Sequence, residues 1–249
     1  MAPAYMSSKR CMTDVNKIHV RRAGAVEASR FVCIHGIGMS GRYFEPLMDI
    51  LGKRYSVAAL DLLGFGLSSS SGRTLTLTEH AERLLEWIGQ EGCDRPILLG
   101  HSMGAQVALE AVRLAPATFR QLVLIAPTVN PAEKGLLIQA CRLAKDGFRE
   151  RISLFWLMLP EYLCCGPVWY FRSLRHMFAQ DVCQKMRTCT VSVLIVAGNR
   201  DRIVPLTWAK EAADLIPEAA LAELEAGHAV HYSCPQEVAE ICHSFVSQE

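Results

Sequence analysis

The sequence predicts an α/β fold, a mostly parallel doubly wound sheet with helices on both faces. Short, nearly continuous apolar segments alternate along the chain with longer segments in which apolar residues recur at helical spacing. Parallel strands that are buried on both faces have this composition, and helical crossovers connect them. The chain has 249 residues, 51% of them hydrophobic, which suffices for one domain with a large core.

The elements follow from these patterns in chain order. An alternating segment at Lys17–Arg21 predicts a half-exposed strand. Six apolar segments predict buried strands: Phe31–Ile34, Ser56–Leu60, Ile97–Leu99, Leu122–Ala126, Val191–Ala197 and Ala220–Leu224. Five amphipathic segments predict helices: Glu45–Leu51, Thr78–Gln90, Ala105–Leu114, Leu206–Ile216 and Gln236–Phe245. Pro205 and Pro235 suit the first position of the last two helices.

The alternation stops between Pro131 and Arg187. This stretch is apolar, aromatic and helical in character, without a strand–helix repeat. We therefore expect a single domain whose core comprises residues 15–130 and 188–249. A helical insertion at about 131–187 should lie over the carboxyl edge of the sheet as a lid.

A serine stands at a predicted strand–helix junction, within Gly100-His101-Ser102-Met103-Gly104. A serine hydroxyl is a poor nucleophile at neutral pH, so it needs an exposed turn beside a base and backbone N–H donors. The flanking glycines suit this turn because it leaves no room for side chains. Ser102 is therefore a candidate nucleophile.

Further polar residues follow other predicted strands where those strands end. His35-Gly36 follows Phe31–Ile34, Asp201 follows Val191–Ala197, and His228 follows the last strand. Ligands of parallel sheets bind beyond the carboxyl ends of the strands. Ser102, Asp201 and His228 are thus expected at the same edge.

Together these motifs resemble the α/β-hydrolase-fold serine hydrolases, over nearly the whole chain from about Ile18 to Phe245. The resemblance rests on five motifs: His35-Gly36, Asp61-x-x-Gly64-x-Gly66-x-Ser68, Gly100 to Gly104, Gly198-x-x-Asp201 and Gly227-His228. It implies that Ser102 attacks an acyl carbonyl, that His228 is the base, and that Asp201 orients His228. It also implies an oxyanion hole made of the backbone N–H groups of Ile37 and Met103.

Each assignment has an alternative. His231 lies three residues from His228 and is the rival base, although Gly227-His228 fits the family pattern. Asp61 and Asp94 are the rival acids. Asp61 belongs to a turn in which carboxylates usually accept backbone N–H groups, and Asp94 precedes the serine strand at its wrong end.

The insertion should determine the substrate. Phe155, Trp156, Met158 and Trp169 are candidate substrate-binding residues in an apolar pocket, although they could equally fasten the insertion to the body. Relatives that cleave haloalkanes or epoxides have an aspartate where Ser102 stands, which favours acyl chemistry here. We expect hydrolysis of small to medium apolar carboxylic esters. Thioesters, lactones, carbon–carbon bonds, perhydrolysis and a non-enzymatic small-molecule receptor remain alternatives.

Composition argues against other classes. The net charge of +1 gives no sign of a nucleic-acid partner. Gly36-x-Gly38 does not continue into a dinucleotide motif, so we expect no cofactor. The ten scattered cysteines indicate thiols in a reducing compartment. His228, His231 and Cys234 form only a weak metal pattern, so no metal is expected. Without a signal peptide or membrane span, the predicted location is the cytoplasm; the oligomeric state is not predicted.

Overall fold

The computed structural model describes residues 18–24, 31–69, 72–127 and 152–248, apart from the side chains of Ile152 and Phe155. Its strands are β1 (Val20–Ala23), β2 (Phe31–Ile34), β3 (Val57–Leu60), β4 (Ile97–His101), β5 (Gln121–Ile125), β6 (Ser192–Gly198) and β7 (Ala220–Leu224). Its helices, numbered among these residues, are α1 (Glu45–Leu51), α2 (Leu77–Glu91), α3 (Met103–Leu114), α4 (Ile152–Cys165), α5 (Pro167–Phe178), α6 (Val182–Arg187), α7 (Leu206–Leu215), α8 (Val230–Ser233) and α9 (Pro235–Val246).

The seven described strands form one sheet in the order β1-β3-β2-β4-β5-β6-β7. All neighbours from β3 to β7 are parallel, and β1 runs antiparallel to β3 at the edge. The predicted α/β class with a mostly parallel, helix-flanked sheet is therefore confirmed. The parallel direction brings the carboxyl ends of β2 to β7 to the same edge, where the candidate site residues follow.

Burial explains the composition of the strands. Every residue of β2, β3, β4 and β5 is buried, so each of these strands is covered on both faces. The outermost parallel strand, β7, is only partly buried, in keeping with its mixed sequence. Burial of apolar surface contributes about 25 cal/mol per Å², so the covering of these central strands stabilises the fold.

Local signals set several helix ends. Thr76 caps α2: its hydroxyl accepts from the Glu79 N–H, and the Glu79 carboxylate accepts from the Thr76 N–H. Gly92, with φ of 64°, ends the same helix. Pro235 is the first residue of α9 as predicted. Pro205 instead precedes α7, which begins at Leu206.

Several other bounds differ from the predicted ones by one or two residues, and two differences are larger. The first strand is Val20–Ala23 rather than Lys17–Arg21, because its register is set by antiparallel pairing of Val20 with Leu60. Lys17 lies outside the described residues. The one-turn helix α8 has no counterpart among the predicted helices; its backbone is held by the hydrogen bond from the Cys234 N–H to the Val230 carbonyl.

Among the described residues, three helices, α4, α5 and α6, lie between β5 and β6, in the stretch where the alternation stops. Residues 131–151 of the predicted insertion lie outside the described residues. A buried carboxylate connects the described part to the body: Glu110 of α3 pairs with Lys185 of α6 at 2.6 Å. Among the described helices, none is both long and apolar enough to cross a membrane.

Candidate active site

Ser102 occupies a strained turn between β4 and α3. Its φ of 55° and ψ of −116° are unusual for a residue with a side chain. Two backbone hydrogen bonds hold the turn: the Ser102 N–H donates to the Ile125 carbonyl, and its own carbonyl accepts from the Ala105 N–H, both at 3.0 Å. Such conformations persist where the surroundings over-determine them, and they cluster at functional sites.

The two glycines of the turn are required by close packing. A methyl group at Gly100 would lie 2.5 Å from the Gly104 carbonyl oxygen. A methyl group at Gly104 would overlap the carbonyl oxygens of Ile34 and His35, at the end of β2. The start of α3 therefore packs directly against the end of the neighbouring strand. This contact brings Ser102 next to the loop that follows β2.

Asp201 is oriented by its own loop. One carboxylate oxygen, Oδ1, accepts the backbone N–H groups of Ile203 and Val204 at 2.7 and 2.9 Å. The other oxygen, Oδ2, lies 2.7 Å from Nδ1 of His228. Since Oδ1 is already engaged by two donors, the carboxylate presents Oδ2 to the imidazole in a fixed direction. Asp201 is buried, which strengthens this interaction.

His228 is thereby set in one tautomer. Its Nδ1–H donates to Asp201, which leaves Nε2 as the acceptor. The loops of the two residues are also joined through their backbones, since the Arg200 N–H donates to the Ala226 carbonyl at 3.0 Å. Gly198 is part of this contact, because a methyl group there would overlap the carbonyls of Ala226 and Gly227. Asp201 and His228 are distant in the sequence, and the pairing of β6 with β7 brings them together.

The loop after β2 lies against Ser102. A methyl group at Gly36 would lie 3.3 Å from Cβ of Ser102, so this loop passes directly beside the serine. Ile37 follows at once and is buried. Met103 is the first residue of α3, and the first N–H groups of a helix have no partner within it. The loop that carries Ile37 therefore lies against Ser102, and Met103 follows Ser102 directly in the sequence.

His35 fastens this loop to the loop that follows β3. Its Nε2 accepts from the Leu62 N–H at 2.9 Å, so its Nδ1–H donates to the Gly36 carbonyl at 2.7 Å. Burial lowers the pKa of His35 and keeps the ring neutral, as this arrangement requires. His35 thus supports the loop.

Asp61, the first rival acid, is engaged elsewhere. It is fully buried and accepts the backbone N–H groups of Gly41 and Leu67 at 2.7 and 2.9 Å. It also pairs with Arg21 at 2.6 Å and with Nδ1 of His19 at 3.1 Å. Turn patterns indicate the backbone contacts, whereas Arg21 reaches Asp61 only because β1 pairs with β3. Asp94 is exposed in the turn before β4.

The insertion covers the loops that follow β2 and β3. Tyr162 of α4 lies against Gly38, where a methyl group would come within 2.5 Å of its ring, and Trp169 of α5 lies against Gly64. Ser40 donates to Glu161 of α4 at 2.8 Å. Sequence reasoning missed Tyr162 and Glu161, since within an apolar helix nothing distinguishes the residues that face these loops.

The four predicted substrate-binding residues do not share one position. Trp169 contacts the loop after β3, and Met158 is partly buried against the core. The Trp156 side chain is 65% exposed, on the outer side of α4, so it does not join them. Alternate faces of an apolar helix look alike in sequence, which explains the difference. The Phe155 side chain lies outside the described residues.

His231, the rival base, is completely buried in an aromatic cluster. Its ring lies 4.5 Å from that of Tyr43 and 4.6 Å from those of Phe44 and His101. Burial first, and the nearby His228 second, lower its pKa to about 3. A ring in these surroundings is part of the core. Within the described part of the chain, no three His, Cys, Asp or Glu side chains are grouped so as to hold a metal ion.

Comparison with known proteins agrees with this architecture. The sequence profile of the Alpha/beta hydrolase family matches residues 31–241. The chain belongs to this family. The prediction that it is an enzyme of the hydrolase class is thereby confirmed.

The individual relatives share only low sequence identity with this chain. The pimeloyl-[acyl-carrier protein] methyl ester esterase of Aliivibrio salmonicida (strain LFI1238) is 24% identical, over 90% of this chain and 94% of that protein. A thermophilic esterase from Thermogutta terrifontis has a similar structure, with a TM-score of 0.81, 18% identity and 94% of each chain covered. So has the enol-lactonase from Burkholderia xenovorans LB400, with a TM-score of 0.80, 17% identity, and 94% and 97% covered.

Proposed function

We propose that this α/β hydrolase is a serine esterase that cleaves carboxylic esters of small to medium apolar substrates. The Asp201–His228 pair carries the proposal. Because Asp201 fixes Nδ1–H of His228, the ring offers Nε2 as a general base. Ser102 stands on a strained turn of the same sheet edge. A base so oriented, at the sheet edge that also carries a serine on a strained turn, has one main chemical use, activation of the hydroxyl for acyl transfer.

In the first half-reaction, Oγ of Ser102 attacks the ester carbonyl carbon while Nε2 of His228 takes the hydroxyl proton. The tetrahedral intermediate collapses, its carbon–oxygen bond to the alcohol breaks, and His228 returns the proton to the leaving alcohol. In the second, water attacks the acyl-enzyme with His228 again as base. Ser102 then leaves with the proton, and the carboxylic acid is released.

The backbone N–H groups of Ile37 and Met103 are the proposed donors to the oxyanion. Both residues lie at the wall formed by the β2 loop and the start of α3, beside Ser102. Each such donor contributes roughly 3 kcal/mol to the transition state. Because these donors belong to the backbone, side-chain substitutions at the two positions leave them in place.

The substrate class follows from the insertion, which we propose to act as a lid. Tyr162 and Trp169 pack their rings against Gly38 and Gly64 in the loops after β2 and β3, Met158 packs against the core, and an apolar site favours apolar acyl groups. The names of the relatives agree with this class, since two of the three are called esterases. Thioesters, lactones and carbon–carbon bonds are cleaved by the same groups, so the test must include them.

The experiment is a turnover assay on p-nitrophenyl esters of graded acyl length, in parallel with matched thioesters and lactones. We expect turnover of esters with a preference for short to medium chains. Ser102→Ala should lose it while retaining its thermal unfolding temperature, and a fluorophosphonate should label wild type but not Ser102→Ala. A labelled but thioester- or lactone-specific protein would contradict the ester assignment. A wild-type protein with neither labelling nor turnover would support a receptor.

A further inference from the structure

Tyr43 and His101 form a hydrogen-bonded chain behind Ser102. The Tyr43 hydroxyl accepts the backbone N–H of Gly36 at 2.6 Å and lies 2.7 Å from Nδ1 of His101. On the other side of the same ring, Nε2 of His101 lies 3.1 Å from the backbone carbonyl of His228. The chain thus runs from the residue before Ile37 to the proposed base.

The protons in this chain have one arrangement. Burial first, then the neighbouring His231 and His228, hold the pKa of His101 well below 6.5, so its ring is neutral. Burial also raises the pKa of Tyr43 well above 10, so its hydroxyl keeps its proton. With its oxygen accepting from Gly36, the hydroxyl donates to Nδ1 of His101. The His101 proton is therefore on Nε2 and donates to the His228 carbonyl.

We propose that Tyr43 and His101 are positioning residues that set the distance between the oxyanion loop and His228. This inference rests on the proposed function. One end of the chain holds Gly36, adjacent to the proposed donor Ile37; the other holds the backbone of His228. His101 precedes Ser102, so the chain also passes through the turn that carries the nucleophile. No atom of this hydrogen-bonded chain needs to touch the substrate.

Packing fixes the chain in place. The Tyr43 ring meets those of Phe44, His101 and His231 edge-on, with centroids 4.7, 5.4 and 4.5 Å apart, and the residue is buried. Removing only its hydroxyl leaves this packing but deprives both Gly36 N–H and His101 Nδ1 of a partner. A buried donor or acceptor without a partner costs free energy, so the loops that carry these groups shift to form other hydrogen bonds. Small displacements of reacting groups reduce rates sharply.

The test is Tyr43→Phe, assayed for kcat and KM separately. We expect kcat to fall roughly 10- to 100-fold, because the oxyanion loop and His228 shift relative to each other. KM should change less than about twofold, because the residues that line the substrate pocket keep their positions. Fluorophosphonate should still label Ser102, more slowly. In a double variant with His101→Phe, kcat should fall no further than in the worse single variant, because both substitutions interrupt the same chain.

Tyr55→Phe is the matched control. The Tyr55 hydroxyl makes the same kind of bond, 2.6 Å to Nδ1 of His243, but near the start of β3, at the opposite end of the sheet. We expect a similar loss of thermal stability with unchanged kcat. A Tyr43→Phe protein with wild-type kcat, or an equal loss of kcat in both variants, would overturn the inference. Wild-type protein with no turnover and an unlabelled Ser102 would overturn the proposed function and this inference with it.

Discussion

Asp201 holds His228 through one oxygen while its other oxygen is occupied by the protein backbone. Oδ2 lies 2.7 Å from Nδ1 of His228, and Oδ1 accepts the N–H groups of Ile203 and Val204. The acid therefore has no freedom to turn its second oxygen toward the imidazole. It acts on the tautomer of His228 as well as on its orientation.

This arrangement predicts the effect of Asp201→Asn. The two backbone donors will keep the amide oxygen where Oδ1 now lies, so the amide N–H₂ will face Nδ1 of His228. The imidazole must then accept at Nδ1 and carry its proton on Nε2, which makes it unable to take the serine proton. We expect ester turnover to fall about 10⁴-fold, the size found when a protease triad acid is changed in this way.

Asp94→Asn controls for the loss of a carboxylate. Asp94 is exposed in the turn before β4, so its variant should keep wild-type turnover. Thermal unfolding of both variants will separate misfolding from lost chemistry. Wild-type activity in Asp201→Asn would mean that another acid orients the base.

Much of the fold is predictable because its signals are local. Helix α1 and strands β2 and β7 have the bounds that the apolar patterns predict. The first strand differs most from its predicted bounds. Its bounds depend on its pairing with β3, and a short strand with mixed polarity gives no sign of its register.

The candidate site divides in the same way. Ser102, Asp201 and His228 could be proposed from sequence because each follows the end of a strand, and parallel strands end together. Tyr43 and Tyr162 could not, since their significance depends on which backbone atoms they meet across the fold. In the sequence, a tyrosine among apolar residues looks the same whether it lies in the core or in an active site.

Gly104→Ala tests whether the close approach of α3 to β2 is required. The new methyl group would overlap the Ile34 carbonyl oxygen, and a rigid strand end is unable to yield. We expect a loss of roughly 1–3 kcal/mol in the free energy of unfolding, measured by urea denaturation. Gly89→Ala in α2 is the control, since the new group meets nothing within 4 Å and should add about 0.5–1 kcal/mol. Equal effects at both positions would refute the steric explanation.

Glu110 should make stability depend on acid pH. Burial raises the pKa of Glu110, but hydrogen bonds from Arg113, Lys185 and Thr78 lower it by more. The net result is a pKa of about 2. Its folded pKa thus lies below the unfolded value of 4.5. The contribution is therefore complete above pH 4.5 and is lost as the pH falls from 4.5 toward 2.

We expect Glu110→Gln to lower the free energy of unfolding by roughly 1–3 kcal/mol at pH 7 and to weaken its decline between pH 4.5 and 2. Urea denaturation at several pH values measures both. Glu86→Gln is the control, because Glu86 pairs with Arg83 at 2.6 Å on the exposed face of α2. Its loss should matter far less. Identical pH profiles for wild type and Glu110→Gln would contradict the assigned pKa.

The two tryptophans of the insertion, Trp156 and Trp169, should differ in their effect on substrate choice. Trp169 lies against Gly64 beside the site, whereas Trp156 is 65% exposed. We expect Trp169→Ala to shift the preferred acyl length or to raise KM severalfold, because truncation enlarges the space over the loop after β3. Trp156→Ala should leave the chain-length profile unchanged. The reverse pattern would place the pocket on the other side of α4.

His231→Phe should separate the buried histidine from the proposed base. The ring of His231 lies among aromatic rings, and neither nitrogen has a hydrogen-bond partner within the described residues. We expect kcat to stay within about threefold of wild type, whereas His228→Phe should lose more than about 10³-fold.

His231 should also make stability depend on pH. The pKa of His231 is about 3 in the folded protein and about 6.5 in the unfolded chain, so the unfolded chain binds more protons between these two pH values. Acid therefore destabilises the wild type through this residue, by up to about 1.4 kcal/mol per pH unit. His231→Phe should reduce the slope of unfolding free energy against pH by that amount between pH 6.5 and 3. An unchanged slope would show that His231 charges in the folded protein, and a kcat loss equal to that of His228→Phe would make His231 part of the chemistry.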